Sequence, residues 1–285
     1  MKPAGNRLIR WIRSLIIAVA VSIAFWTLVI MIFEEKFIFF PAVYPQGIYE
    51  SEQRALQPED HWFTTEDSVK LHGWFLRSED AMGTLLMFHG NAGNLSHRGE
   101  ILRRLRLTGF NVFIFDYRGY GKSEGGPNEE GVYADGRAAA QYVTSLAGVE
   151  SKRLFFLGSS LGGAVAVDVA THQPPVGMIL ESTFSSAQDV AAHAYPFLPN
   201  RFLLRTRFDS ESKIRNLHVP LLFFHGTDDS VIPHRLGRKL FDAANSPKQF
   251  IDIIGANHND MFLIGGETYL RQIRAFCLKL SNSLP

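Results

Sequence analysis

The chain has 285 residues, 46% of them hydrophobic and 20% charged, which suits one folded domain of ordinary size with an appendage. Lys and Arg number 29 against 28 Asp and Glu, a balance that excludes the strong basic field needed to collect nucleic acid. The single cysteine, Cys277, excludes an internal disulfide framework and any cysteine-rich metal site, and it reads as a buried thiol in a C-terminal helix.

Residues 14–33, SLIIAVAVSIAFWTLVIMIF, run for 20 positions without a charge. At ~1.5 Å of rise per residue such a helix crosses the ~30 Å hydrocarbon layer. A cleaved signal peptide is the competing reading, but its apolar core would be shorter and a small-residue cleavage site would follow it, where Phe33-Glu34-Glu35-Lys36-Phe37 stands instead. Lys2, Arg7, Arg10 and Arg13 precede the span and Glu34, Glu35 and Lys36 follow it. The positive-inside bias therefore expects residues 1–13 in the cytoplasm and everything after the span outside it, periplasmic in a bacterium and lumenal or extracellular in a eukaryote. A juxtamembrane segment is expected at 34–60. Its run Phe37-Ile38-Phe39-Phe40-Pro41 reads either as a headgroup-level contact or as a lone strand. The remaining residues, 61–285, show neither repeat nor low-complexity linker and are expected to form one folded domain.

That domain opens on a hairpin pattern, 61–65 and 69–75 around Glu66-Asp67-Ser68. Apolar runs at 84–88, 111–115, 154–157, 177–180, 220–224 and 249–253 then alternate with helical patterns near 95–108, 130–147, 161–172, 234–244 and 260–280. Alternation of this kind predicts right-handed crossovers and a mostly parallel, eight-stranded sheet with helices on both faces. In such sheets ligands gather at the carboxyl ends of the strands.

The run Leu154-Phe155-Phe156-Leu157 leads into Gly158-Ser159-Ser160-Leu161-Gly162-Gly163 and then an Ala/Val-rich helix. This is the pattern of a nucleophile elbow, in which glycines two residues either side of the serine leave room for a strained strand-to-helix turn. The spacing centres on Ser160 rather than Ser159. A serine needs a histidine to take its proton and a carboxylate to orient the ring. Asp229, three residues past Gly226 on the loop after the 220–224 strand, is the expected acid. Asp228 beside it is expected to cap the turn, and Glu181 at the end of the preceding strand is a further alternative. His258 follows the last strand and is the expected base, with Asn259 expected to cap the final helix. The loop His89-Gly90-Asn91-Ala92-Gly93-Asn94 after the 84–88 strand is expected to offer the Asn91 backbone N–H to an oxyanion, with the Leu161 N–H as the second donor. His89 is expected to pin that loop, and Asp116-Tyr117-Arg118-Gly119-Tyr120-Gly121-Lys122-Ser123 to form a rigid border of the site; the latter lacks the spacing of a phosphate-binding glycine loop.

With HGNAGN (89–94), DYRGYGKSEG (116–125), GSSLGG (158–163), ESTFSS (181–186), HGTDDSVIP (225–233) and GANHND (255–260) in place, the chain resembles the membrane-anchored α/β-hydrolase domain proteins related to the yeast bud-emergence suppressors, from Phe33 to the carboxyl terminus. The resemblance implies the α/β-hydrolase fold and a serine hydrolase acting on lipid esters or acyl thioesters, with Ser160, Asp229 and His258 as its triad. The chain departs from the family's frequent G-x-K-D acid loop in having Asp228 before Asp229. The chemistry implies no metal or organic cofactor, and the sequence sets no oligomeric state. The connection 182–219, with Phe184, Tyr195, Pro196, Phe197, Leu198, Pro199, Phe202 and Leu203, is short for a cap domain. It predicts an open apolar cleft with an aromatic rim toward the bilayer, taking a small acyl ester or lipid as its partner. Two other readings remain. One is a peptidase or amidase with the same triad; the other is a binding module on a hydrolase fold that has lost its chemistry, against which Ser160 and His258 both stand intact.

Overall fold

Strands buried on both faces read as near-continuous apolar runs, and five stretches in the middle of this chain have that character. In the computed structural model, which describes residues 4–196 and 204–282, they are β4 (Thr84–Phe88), β6 (Asn111–Phe115), β7 (Leu154–Ser159), β8 (Gly177–Glu181) and β9 (Leu221–Gly226). Lys2 and five residues expected on the aromatic rim, Phe197, Leu198, Pro199, Phe202 and Leu203, lie outside the described residues. The strands that alternate with polar residues, β2 (Glu59–Thr64) and β10 (Lys248–Ile253), take the two edges. With β3 (Lys70–Leu76) they complete an eight-stranded sheet in the order β10-β9-β8-β7-β4-β6-β3-β2. β2 and β3 form the expected hairpin, with Glu59 opposite Phe75 and Thr64 opposite Lys70. Every pairing from β6 to β10 is parallel, and β3 runs against both of its neighbours.

Side chains alternate across the sheet, so each strand feeds two cores. Leu86, Phe88, Phe113, Phe115, Phe156, Leu180 and Phe223 pack with helices α4 (Glu129–Ser145) and α5 (Leu161–His172) on one face. Leu85, Met87, Ile114, Phe155, Leu157, Ile179 and Phe224 pack on the other with helix α3 (Gly99–Leu107) and a C-terminal helix over Gly266–Ser281, in which Cys277 is buried.

Three helical expectations change in detail. The 95–108 pattern divides into a 3-10 turn, Leu95–Arg98, and α3, because Asn94 accepts the Ser96 N–H and tightens the first turn. The 260–280 pattern is broken at Gly265 and Gly266 into Met261–Ile264 and Gly266–Ser281. The short helix there has Asp260, not Asn259, at its N-cap position, and the Asp260 carboxylate accepts the Asn257 N–H at 2.6 Å instead.

Helix α1 runs from Ala4 to Ile38, with a non-helical break at Phe33. Within it Ile9–Val29 forms a 21-residue stretch of mean hydropathy 2.2 that is not buried by the rest of the protein, and this is the one helix among the described residues long and apolar enough to cross a membrane. Beyond the break the chain is knitted into the domain. Glu34, Phe39, Tyr49 and Leu56 are all buried. Phe40–Pro41 (β1) pairs in parallel with Ala92–Gly93 (β5), while Phe37 and Phe40 stay exposed. Helix α2 (Tyr49–Leu56) then leads to the sheet.

Candidate active site

Parallel strands bring the loops after β4, β7, β9 and β10 to a single edge of the sheet, and the expected site residues all stand there. Between β7 and β8 the backbone turns at Ser160, whose φ of 54° and ψ of −117° lie outside the regions that ordinary residues occupy. What holds the turn is its surroundings. The Ser160 N–H donates to Glu181 O at 2.8 Å, and the Ser160 carbonyl accepts from Gly163 N–H and Thr183 Oγ, each at 3.0 Å. The flanking glycines are steric necessities: a β-carbon at Gly158 would stand 2.7 Å from Gly162 O, and one at Gly162 would stand 1.9 Å from Phe88 O.

On the loop after β9, Asp229 is buried and Asp228 is exposed. Asp229 Oδ1 accepts the backbone N–H groups of Val231 at 3.0 Å and Ile232 at 2.8 Å. Its Oδ2 lies 2.8 Å from His258 Nδ1. Burial pushes this carboxyl upward, but hydrogen bonds from His225, His258 and the Ile232 N–H outweigh it and hold the group well below the ordinary carboxylate range. His258 Nε2 in turn lies 3.0 Å from Ser160 Oγ. The three side chains thus form one chain of contacts. Glu181 is elsewhere: its carboxylate is buried and accepts the Tyr269 hydroxyl, so only its backbone touches the Ser160 turn.

The loop expected to form the oxyanion hole abuts Ser160, since a β-carbon on Gly90 would fall 3.5 Å from Ser160 Cβ. Leu161 opens α5, so its N–H has no partner within the helix. Asn91 is fastened by its side chain, Nδ2 donating to Ile38 O at 2.5 Å and Oδ1 accepting from Tyr120 Oη at 2.8 Å. His89 is fully buried, with Nδ1 2.7 Å from Gly90 O, and its own carbonyl accepts the Tyr117 hydroxyl at 3.0 Å. The 116–123 loop is tied to its surroundings from several sides. Asp116 accepts from Tyr49 Oη at 2.8 Å and Leu95 N–H at 2.7 Å, while Arg118 bridges buried Asp135 and exposed Asp67.

Several supports escape a linear reading. His225 is buried with Nε2 2.9 Å from Ile232 O and 3.4 Å from Asp229 Oδ2, closing the acid loop from beneath. Asn257 Oδ1 accepts from Ser230 N–H and Oγ on the acid loop and from the His258 N–H at 2.7 Å, so one amide oxygen ties the two loops together. Adjacency within HGTDDSVIP and GANHND was the available signal, but nothing in either motif says that the two meet.

A reversed second strand in an otherwise parallel sheet, with a serine on the sharp turn after the central strand, is the architecture of the α/β-hydrolases. A model of the family described as "Serine aminopeptidase, S33" matches residues 79–206. An esterase of Pyrococcus furiosus superposes with a TM-score of 0.70 at 20% identity, over 86% of this chain and 100% of that one. The chain is 37% identical over 245 residues to an uncharacterized Mycobacterium tuberculosis protein, Rv2307c, covering 85% of this chain and 86% of that protein. It is 33% identical to the protein bem46 of Schizosaccharomyces pombe, over 88% of each chain, and 32% identical to the α/β-hydrolase domain-containing protein WAV2 of Arabidopsis thaliana, over 83% and 85%. The chain belongs to this Bem46-type family of α/β-hydrolases.

Proposed function

We propose that the protein is a membrane-anchored serine hydrolase that cleaves carboxylic ester or thioester bonds of acyl or lipid substrates. The observation that carries this reading is the unbroken contact from Asp229 through His258 to Ser160, at 2.8 and 3.0 Å. Ser160 Oγ attacks the acyl carbonyl while His258 Nε2 takes its proton. Asp229, held anionic, keeps the other ring proton on Nδ1 and stabilises the imidazolium. The negative oxygen of the tetrahedral intermediate is received by the backbone N–H groups of Asn91 and Leu161 at the start of α5, where the helix dipole adds to them. Collapse expels the alcohol or thiol, which leaves with the proton from His258. Water then repeats the sequence on the acyl-enzyme, releasing the acid and restoring Ser160.

An apolar substrate follows from the anchor. Ile38, five residues past the end of the 14–33 stretch, is hydrogen-bonded to Asn91, and at ~1.5 Å per residue that length keeps the oxyanion loop within about 10 Å of the hydrocarbon boundary. Residues 14–33 are the membrane span in this reading, with 1–13 cytoplasmic and the catalytic domain on the far side. The family model's description supports a second reading, amide cleavage at a peptide amino terminus, by the same triad.

A fluorophosphonate probe tests the nucleophile: the wild-type chain should be labelled and Ser160→Ala should not. Labelling that survives in Ser160→Ala, or a wild-type chain that never reacts, refutes the assignment. Among labelled proteins, turnover of lysophospholipids, acylglycerols or acyl thioesters but not of aminoacyl amides separates the first reading from the second.

A further inference from the structure

Asp229 has a second histidine beside it. Strand β9 reads Leu221-Leu222-Phe223-Phe224-His225-Gly226, and every residue in it is buried. Because side chains alternate along a strand, His225 follows Phe223 onto the face that the helix His234–Ala243 covers with Leu236 and Leu240. That is a core position, and an imidazole placed there needs polar partners to offset its burial. Both partners are on the acid loop, with Nε2 2.9 Å from Ile232 O and 3.4 Å from Asp229 Oδ2. Since two acceptor oxygens face this nitrogen, it carries the hydrogen.

One ring thereby governs both oxygens of the carboxylate. Oδ1 accepts the Ile232 N–H at 2.8 Å, and His225 holds that same residue by its carbonyl. Oδ2, the oxygen in contact with His258 Nδ1 at 2.8 Å, is the one the His225 N–H approaches. The covering helix is shaped to the ring. Gly237 lies buried in its middle, where glycine weakens a helix. A β-carbon there would stand 2.2 Å from His225 Nδ1 and 2.7 Å from Cε1, so the glycine leaves the room that lets Nε2 reach the acid loop. The other ionisable groups on that side are turned elsewhere. His234, whose ring is 5.4 Å from that of His225, lies 2.5 Å from Asp252 Oδ1, and Arg238 lies 3.1 Å from Asp252 Oδ2.

We propose that His225, seated against Gly237, is a positioning residue for the triad acid: it aims Asp229 at His258 and so sets the reactivity of Ser160. This inference rests on the serine-hydrolase reading and adds to it a fourth side chain, one that is 1% exposed and acts only through Asp229. Losing its N–H should slow the chemistry at Ser160 without changing how a small substrate binds.

The test uses the full chain with a small fluorophosphonate and p-nitrophenyl butyrate. The final extent of labelling counts folded sites, and the rate of labelling reports how reactive each one is. His225→Phe keeps a buried ring but loses the donor. Its labelling rate constant should fall by about ten- to hundred-fold, the scale of a hydrogen bond to a charged group, while the extent still reaches that of the wild type. Ester turnover per labelled site should fall with it through kcat, KM staying within about two-fold. His225→Gln, whose amide nitrogen can stand in for Nε2, should recover most of the loss, and Gly237→Ala should slow labelling by displacing the ring. Full reactivity per site in His225→Phe overturns the proposal. So does a loss confined to the extent of labelling, which would mean that His225 serves the fold alone, and so does a glutamine variant as slow as the phenylalanine one. A wild-type chain that is never labelled removes the serine-hydrolase reading, and the proposal falls with it.

Discussion

Glu181 shows how far a residue's neighbours decide its role. In sequence it is a carboxylate at the end of a strand next to the nucleophile's, a place where a triad acid could sit. In the folded chain burial pushes its pKa up to about 7, partly offset by the hydrogen bond from Tyr269. A group raised in this way binds its proton more tightly folded than unfolded, so folding carries no penalty from it below about pH 4.5 and a growing one up to about pH 7. By pH 8 that penalty is on the order of 3 kcal/mol. Glu181→Gln keeps an acceptor for Tyr269 but cannot ionise. Its thermal unfolding, followed from pH 5 to pH 8, should lose less stability over that range than the wild type; parallel curves would show that Glu181 does not ionise in this window. Asp229 has the opposite balance, with two backbone N–H groups and His258 outweighing its burial. Two carboxylates behind neighbouring strands are thereby shifted in opposite directions by what surrounds them.

At the scale of an element, the turn from β7 into α5 was legible because its requirement is local: two glycines at fixed offsets, an apolar strand before and a helix after. The structure adds the reason the offsets are strict. A β-carbon on Gly162 would meet the backbone oxygen of Phe88 at 1.9 Å, and a backbone atom between two strands cannot step aside. Gly162→Ala should cost more than about 3 kcal/mol, whereas Gly126→Ala, where nothing lies within 4 Å, should stay within about 0.5 kcal/mol. Urea unfolding of the two variants side by side checks this, and similar midpoints would contradict it. Helix α2 and the pairing of β1 with β5 were not legible, although a lone strand was one reading of residues 37–41. Neither has a periodic apolar pattern long enough to stand out, and each exists because it covers a loop from elsewhere in the chain.

For the whole molecule, the proposed membrane-anchored reading turns on how the candidate site's edge sits relative to α1. The foot of α1, beyond the break at Phe33, is hydrogen-bonded to Asn91 and to Arg205 and Thr206, so the end of that helix is tied directly to the edge that carries the candidate site. The basic residues before the span place the domain outside the cytoplasm in our reading. Protease added to sealed vesicles of known sidedness should remove a carboxyl-terminal epitope only when it reaches the non-cytoplasmic face. Digestion from the cytoplasmic face would reverse the assignment.

The sequence by itself determined the strands, most helices and the candidate triad, because alternation, glycine spacing and the loop that follows each strand are properties of neighbours along the chain. Only the tertiary structure decided that the residues meet. β10 is three strands from β7, about 14 Å at the usual spacing, so His258 reaches Ser160 by a loop that Asn257, Ser230 and Asp260 steer back across the sheet. The grip of Glu34 on Arg205 and Thr206 joins residues 171 or more positions apart. Such contacts are fixed by the shape of the packed sheet and the need to satisfy buried carboxylates, neither of which is written in any short stretch of residues.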